Sequence, residues 1–210
     1  LRRVASPQEV CQAHLRVMRD SPLVDAAAQV IGPNIVVNNV KTNCKQPGTA
    51  TEIRFHQDFA YEAHTNDDML AVLLFVDDVT PENGPLEVVP GTHRGAIFDH
   101  WQDGIFTGTI AEGDLAGLGD SVDCYGPAGT ACLMHTRLVH GSGPNLTEVS
   151  RTLSIFSYRS EDSRILHPNH LPSANEGELV RGVATGRIRC VEYEMPIAEV
   201  PETASFFDQQ

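Results

Sequence analysis

His56 and Asp58 stand two apart in the run Glu52-Ile-Arg-Phe-His-Gln-Asp-Phe, and His140-Gly-Ser-Gly-Pro-Asn follows 84 positions after His56. Arg151 comes eleven residues beyond His140 and opens Arg-Thr-Leu-Ser-Ile-Phe-Ser-Tyr. Two imidazoles and one carboxylate form a three-ligand face that leaves half an octahedron open, the geometry used by non-haem Fe(II) oxygenases. On a strand, side chains at i and i+2 share a face, so His56 and Asp58 can point together into a barrel while Gln57 faces away. His140 must then arrive from a distant strand. A cation on the strand after it would suit an acidic co-substrate. Taken alone, an H-x-D and a later histidine read more readily as two core histidines and a surface aspartate.

The elements that must position these groups change character along the chain. Ser6-Pro7-Gln8-Glu9 reads as an N-cap, a proline at the first helical position and a capping-box glutamate. Val10, Ala13 or His14, Val17 and Met18 then recur at helical spacing. Ser21-Pro22 repeats the start signal, Leu23, Ala27, Val30 and Ile31 supply a second stripe, and Gly32-Pro33 ends it. These two helices are expected to pack on the outside of a sheet. From residue 34 onward the pattern predicts strands over Ile35–Cys44, Glu52–Phe59, Met69–Val76, Leu86–Val89, Ser121–Tyr125, Thr130–Met134 and Arg151–Tyr158, separated by Pro- and Gly-rich turns. Such a series points to a mainly β sandwich, barrel or jelly roll with flanking α-helices. Asp99 to Gly119 reads as a long loop or lid, and Glu161 to Gly182 as irregular. The expected organisation is one domain over 1–210, with a helical flank (1–33), a jelly-roll core (34–160) and a C-terminal extension (161–210).

At 210 residues and 41% hydrophobic content the chain can bury a real core. A net charge of −13 argues against nucleic acid or an anionic membrane as partner. Cys11, Cys44, Cys124, Cys132 and Cys190 form an odd, scattered set without a CxxC pair, read as reduced thiols of a cytoplasmic protein. No apolar run approaches the roughly 18–20 residues of a membrane-spanning helix. The chain opens on Leu1-Arg-Arg rather than Met, so a preceding segment is expected.

The segment from Met69 to Arg94, with Asn83-Gly84-Pro85 and Pro90-Gly-Thr-His-Arg94, together with His140-Gly-Ser-Gly-Pro-Asn and Arg151, resembles the phytanoyl-CoA dioxygenase family. Around Asn39 to His64 it is most similar to that family's bacterial ectoine-hydroxylase branch. The resemblance covers about residues 35 to 160. It implies a double-stranded β-helix (a cupin-like jelly roll), Fe(II) as metal, 2-oxoglutarate as co-substrate, O2 as oxidant and ascorbate as a supporting reductant.

By the same resemblance His56, Asp58 and His140 would be the iron ligands. Arg151 would hold the distal carboxylate of 2-oxoglutarate, which a planar guanidinium grips bidentately. Asn39, Asn43 and Ser142 would touch the co-substrate, although Asn39 stands where the ectoine branch has a longer amide. Phe59, Tyr61 and Glu62 would line the mouth, Trp101 and Phe106 the lid, and Arg159 or Arg164 would meet an acidic substrate group. His135 competes with His140 as ligand, but the Gly-Ser-Gly-Pro-Asn after His140 and its distance from Arg151 favour the latter. His93 would bond a loop, and His64, His100, His167 and His170 are expected exposed or substrate-side. A carboxylate at position 58 favours hydroxylation over halogenation, since halogenating relatives carry a small residue there.

The implied activity is hydroxylation of an unactivated C–H of a small molecule, with release of succinate and CO2. The alternative is a cupin-like hydrolase or isomerase using the same ligands for Zn2+ or Mn2+, and a third is a catalytically silent binding module. Arg151 discriminates, because a hydrolytic site has no need of a carboxylate clamp. The substrate and the oligomeric state stay open.

Overall fold

Alternating side chains on the long strand 151–160 set up two faces. Arg151, Leu153 and Ile155 look into an internal cavity, while Phe156 and Tyr158 pack against helices. The computed structural model describes residues 3–48 and 51–199; the end of the expected C-terminal extension, 200–210, lies outside the described residues. In chain order the elements are β1 (Arg3–Ala5), α1 (Gln12–Asp20), α2 (Pro22–Ile31), β2 (Ile35–Lys45), β3 (Ile53–His56), β4 (Met69–Phe75), β5 (Leu86–Val88), β6 (Trp101–Gln102) and β7 (Ile105–Phe106). They continue as α3 (Glu112–Leu115), β8 (Val122–Cys124), β9 (Ala131–His135), β10 (His140–Ser142), β11 (Arg151–Ser160) and β12 (Leu179–Arg181).

Two antiparallel sheets carry the fold. The larger runs β1-β2-β11-β4-β9, with β12 also pairing β2, and the smaller runs β3-β10-β5-β8. From β2 to β5 and again from β8 to β11 the chain alternates between the two sheets, which is the double-stranded β-helix the resemblance implied. α1 and α2 cover the outer face of the larger sheet. Met18, Val24, Ala27 and Ile31 pack on Ile35, Val37, Val40, Val72, Phe156 and Tyr158. Full burial of Val37, Val40 and Phe156 contributes about 1.5–3 kcal/mol each. Tyr158 also donates its hydroxyl to the Met18 carbonyl, 3.0 Å away.

The first helix begins later than expected. Ser6 has φ +50° and makes no side-chain cap, Pro7–Glu9 is only a 3-10 turn, and α1 starts at Gln12 after Cys11. Val10 is exposed and outside the helix, and Val30 faces solvent. The cause is β1, which pairs with β2 through Arg3–Ala5 and delays the helix until that strand has ended. Strand β3 stops at His56, so Asp58 opens a 3-10 turn, Asp58–Ala60, rather than sitting on a strand. The expected lid contains the small hairpin β6–β7 and the short α3.

β2 contains a bulge. Ser157 pairs with Asn39 and the next residue, Tyr158, pairs with Val37, so Asn38 is the extra residue. Among the described residues no helix is long and apolar enough to cross a membrane.

Candidate metal and co-substrate site

His140 on β10 sits directly opposite His56 on β3 in the ladder, and their ring centroids are 4.2 Å apart. The strands approach closely because residue 141 is glycine: a Cβ there would lie 2.8 Å from the Ile53 carbonyl oxygen. Each imidazole is oriented by its own main chain. His56 Nδ1 lies 2.9 Å from the Arg54 carbonyl oxygen, and His140 Nδ1 lies 2.9 Å from that of Leu138. A carbonyl only accepts, so both Nδ1 atoms carry the proton and both Nε2 lone pairs are left for a metal. Those Nε2 atoms lie 3.5 and 3.8 Å from Asp58 Oδ1. The three donor atoms fall within 4.8 Å of one another, as a chelating set must. The turn at Asp58–Ala60 therefore delivers the carboxylate that the strand was expected to deliver.

The electrostatics suit ligation. Burial holds the His140 imidazole neutral down to about 4, against a usual value of 6.5. Burial alone would raise the Asp58 carboxyl, but Lys41, His140 and His56 outweigh it and hold it well below the carboxylate range. Gln57, behind the trio, is fully buried. Its amide donates to the carbonyls of Ala96 and Arg137 and accepts from the Phe98 N–H. His100 accepts the Gln57 backbone N–H at 3.0 Å.

Arg151 is 2% exposed and lines the same cavity as the trio. It donates to the Gly84 carbonyl. Beside it Lys45, its register partner on β2, donates to the Ser142 carbonyl at 3.0 Å and to that of Gly143. Burial, and then the neighbouring guanidinium, lower the Lys45 ammonium to about 7. Burial lowers Arg151 to about 10, so it stays charged near neutrality.

The remaining expected contacts divide. Asn43, Ser142 and Tyr61 line the cavity. Asn39 instead donates to Glu62 Oε1 at 2.9 Å, while Asn38 donates to Glu62 Oε2 at 2.5 Å. Neighbouring side chains on a flat strand point to opposite faces, and the bulge is what lets these two reach one carboxyl. Burial raises that carboxyl to about 7. Phe59 is fully buried edge-on to Tyr193. Trp101 packs on Phe106 and donates to the Ile197 carbonyl. Arg159 and Arg164 donate to loop carbonyls of Ser163 and Glu161. His135 stacks near His93, away from the trio. His64 and His100 are buried rather than exposed, each with Nδ1 on a nearby carbonyl.

Arg3, Lys41 and Lys45 line the cavity and went unnoticed in the sequence, while His170, expected exposed or substrate-side, lines it too. Lys41 and Lys45 flank Asn43 at a spacing of two along β2, a period-two signal that could have found them.

Known proteins give a consistent picture. The model of the family described as phytanoyl-CoA dioxygenase matches residues 4–153. The chain is 33% identical to a probable alpha-ketoglutarate-dependent hypophosphite dioxygenase of Stutzerimonas stutzeri, over 89% of this chain and 65% of that protein. It is 33% identical to an L-proline trans-4-hydroxylase of Streptomyces griseoviridis, over 78% of this chain and 68% of that one. The chain thus spans about two thirds of the length of these relatives. The apo structure of EctD from S. alaskensis superimposes with a TM-score of 0.73 at 22% identity, covering 93% of this chain and 68% of that one, which shows the shared fold.

Proposed function

The chain belongs to the phytanoyl-CoA dioxygenase family, and from that premise we propose that it is a mononuclear Fe(II)- and 2-oxoglutarate-dependent dioxygenase. It hydroxylates an unactivated C–H bond of a small molecule, with release of succinate and CO2. The observation that carries this reading is the convergence of His56 Nε2, His140 Nε2 and Asp58 Oδ1 in one cavity with the buried Arg151. The two pinned imidazoles and the ionised carboxylate are a fitting donor set for Fe(II). When bound, iron and 2-oxoglutarate supply the O2-dependent oxidising chemistry.

The chain's own residues do the rest. Arg151 holds the distal carboxylate of 2-oxoglutarate, and Asn43 and Ser142 line the same cavity as the metal ligands. Tyr61, anchored by its hydroxyl on the Gly108 carbonyl at 2.5 Å, forms a wall on the substrate side. Asn39 acts one step removed, by holding Glu62. Phe59 and Trp101 shape these walls from behind. A hydrolytic site built on the same ligands would leave the guanidinium without a task. Residues 1–210 are read as one dioxygenase domain, with a small molecule rather than nucleic acid or membrane as partner. The five free thiols fit a cytoplasmic setting.

The test is direct. Protein supplied with Fe(II), ascorbate and 2-oxoglutarate should form succinate, and His56→Ala or Asp58→Ala should abolish it. No heat of 2-oxoglutarate binding to the anaerobic Fe(II) protein would overturn the reading.

A further inference from the structure

Lys41 is a buried cation with no assigned task. It lies on β2, lines the cavity and is 9% exposed. Among the described residues its ammonium has no hydrogen-bond or ion-pair partner. An unpartnered ammonium that lines a cavity is free to receive an anion there, and a charge-assisted hydrogen bond is the strong kind. Glu62, a carboxyl nearby, is already held by Asn38 and Asn39.

Position separates Lys41 from the co-substrate end. Lys45 pairs with Arg151 across the sheet, and Lys41 pairs with Ile155. At about 3.3 Å per residue, Lys41 lies about 13 Å along the strand from Lys45. The charges each one feels agree. Lys41 acts on Asp58, Glu62, His140 and His170, whereas the charged neighbours of Arg151 are Lys45 and Asp77.

A second cation joins Lys41. β1 places Ala5 beside Lys41 and Arg3 beside Asn43. Arg3 Nε donates to Asn43 Oδ1 at 3.1 Å, and its charge reaches Asp58, Tyr61 and His170. In a chain of net charge −13, two cations gathered at one end of a cavity make a local field opposite to the global one. With the co-substrate's carboxylates on Arg151 and the metal, as in the reading above on which this rests, neither cation is neutralised by it.

We infer that Lys41, with Arg3 beside it, is the subsite that recognises an oxyanion on the substrate, a carboxylate or a phosphorus oxyanion. Anchoring that group opposite Arg151 presents the rest of a small substrate to His56, Asp58 and His140.

The test uses the anaerobic protein loaded with Fe(II) and 2-oxoglutarate, titrated calorimetrically in two arms. One arm is hypophosphite and phosphite. The other is L-proline and lactate, with L-prolinamide as the control that lacks the anion. Binding in at least one arm is expected, and the arm that binds identifies the oxyanion. Lys41→Met and Lys41→Gln should weaken it about 30-fold or more, Lys41→Arg should largely restore it, and Arg3→Gln should weaken it less. All four variants should keep wild-type 2-oxoglutarate affinity, which also reports an intact fold. The inference is overturned if neither arm binds while 2-oxoglutarate does, or if Lys41→Met and Lys41→Gln bind as wild type. It is overturned equally if they lose 2-oxoglutarate binding while Lys41→Arg keeps it, which would assign Lys41 to the co-substrate. Wild-type protein that binds no 2-oxoglutarate would instead remove the reading beneath it, and the inference with it.

Discussion

Arg151 donates a hydrogen bond to the carbonyl oxygen of Gly84, which ties the guanidinium to the turn Asn83-Gly84-Pro85. Gly84 has φ +73°, and a Cβ there would lie 2.6 Å from the Gly143 carbonyl oxygen and 3.0 Å from that of Pro144. Gly84→Ala should therefore cost about 1–2 kcal/mol in the left-handed conformation alone and push the turn away from Arg151. Calorimetry should show 2-oxoglutarate binding weakened by about tenfold, near 1.4 kcal/mol, with Fe(II) affinity little changed. Unaltered 2-oxoglutarate affinity would mean that this carbonyl does not position the guanidinium.

Gln57 supports the metal end in a similar way. Gln57→Leu would leave the Ala96 and Arg137 carbonyls and the Phe98 N–H without their partner. Stranding polar groups in this half-buried setting costs about 1–3 kcal/mol in all, and a stability loss of that size is expected in denaturant titration. Fe(II) affinity should fall as well, within the 10–100-fold that losing ligand support typically costs.

The trio itself makes a sharper prediction. Asp58→Ala and His140→Ala should each reduce Fe(II) affinity by more than about 100-fold, beyond the loss of a supporting hydrogen bond, with the far-UV circular dichroism unchanged. His135→Ala should leave Fe(II) binding intact, because His135 lies outside the trio. Metal analysis after reconstitution distinguishes the two.

Glu62 gives the protein a pH signature. Its carboxyl is raised by burial from 4.5 to about 7, so between those values the folded state holds a proton that the unfolded chain has released. Its contribution to stability accordingly falls as pH rises from about 4.5 to about 7 and levels off above that, by up to about 1.4 kcal/mol per pH unit, against the opposite contribution of buried histidines such as His140. Glu62→Gln should remove this contribution, so that wild type loses stability relative to the variant across that window. Its new N–H2 can be accepted after an amide turn, because the side-chain oxygens of Asn38 and Asn39 have no partner. A wild-type pH profile matched by the variant would show that Glu62 titrates normally.

The chemistry was legible where motifs are local. The family resemblance singled out His56, Asp58, His140 and Arg151, and patterning anticipated the strands of His56 and Arg151, but not the short strand of His140 or the turn that holds Asp58. What stayed hidden depends on distant pairing. Arg3 reaches the cavity only because β1 pairs with β2, a partnership that nothing within residues 1–9 announces. The same pairing explains why the capping signal at Ser6 did not start a helix. The bulge at Asn38 left no local mark, although it redirects Asn39 from the co-substrate toward Glu62. His170 arrives from an irregular stretch whose course no periodicity describes.

The His56 and His140 imidazoles are each aimed by the main-chain carbonyl two residues upstream. Their aim thus survives any exchange of neighbouring side chains that spares the ladder. Lys41, Arg3 and His170, which line the same chamber, bring their charge or ring nitrogens on side chains alone. Selectivity can drift through them by point substitution while the reactive end keeps its shape.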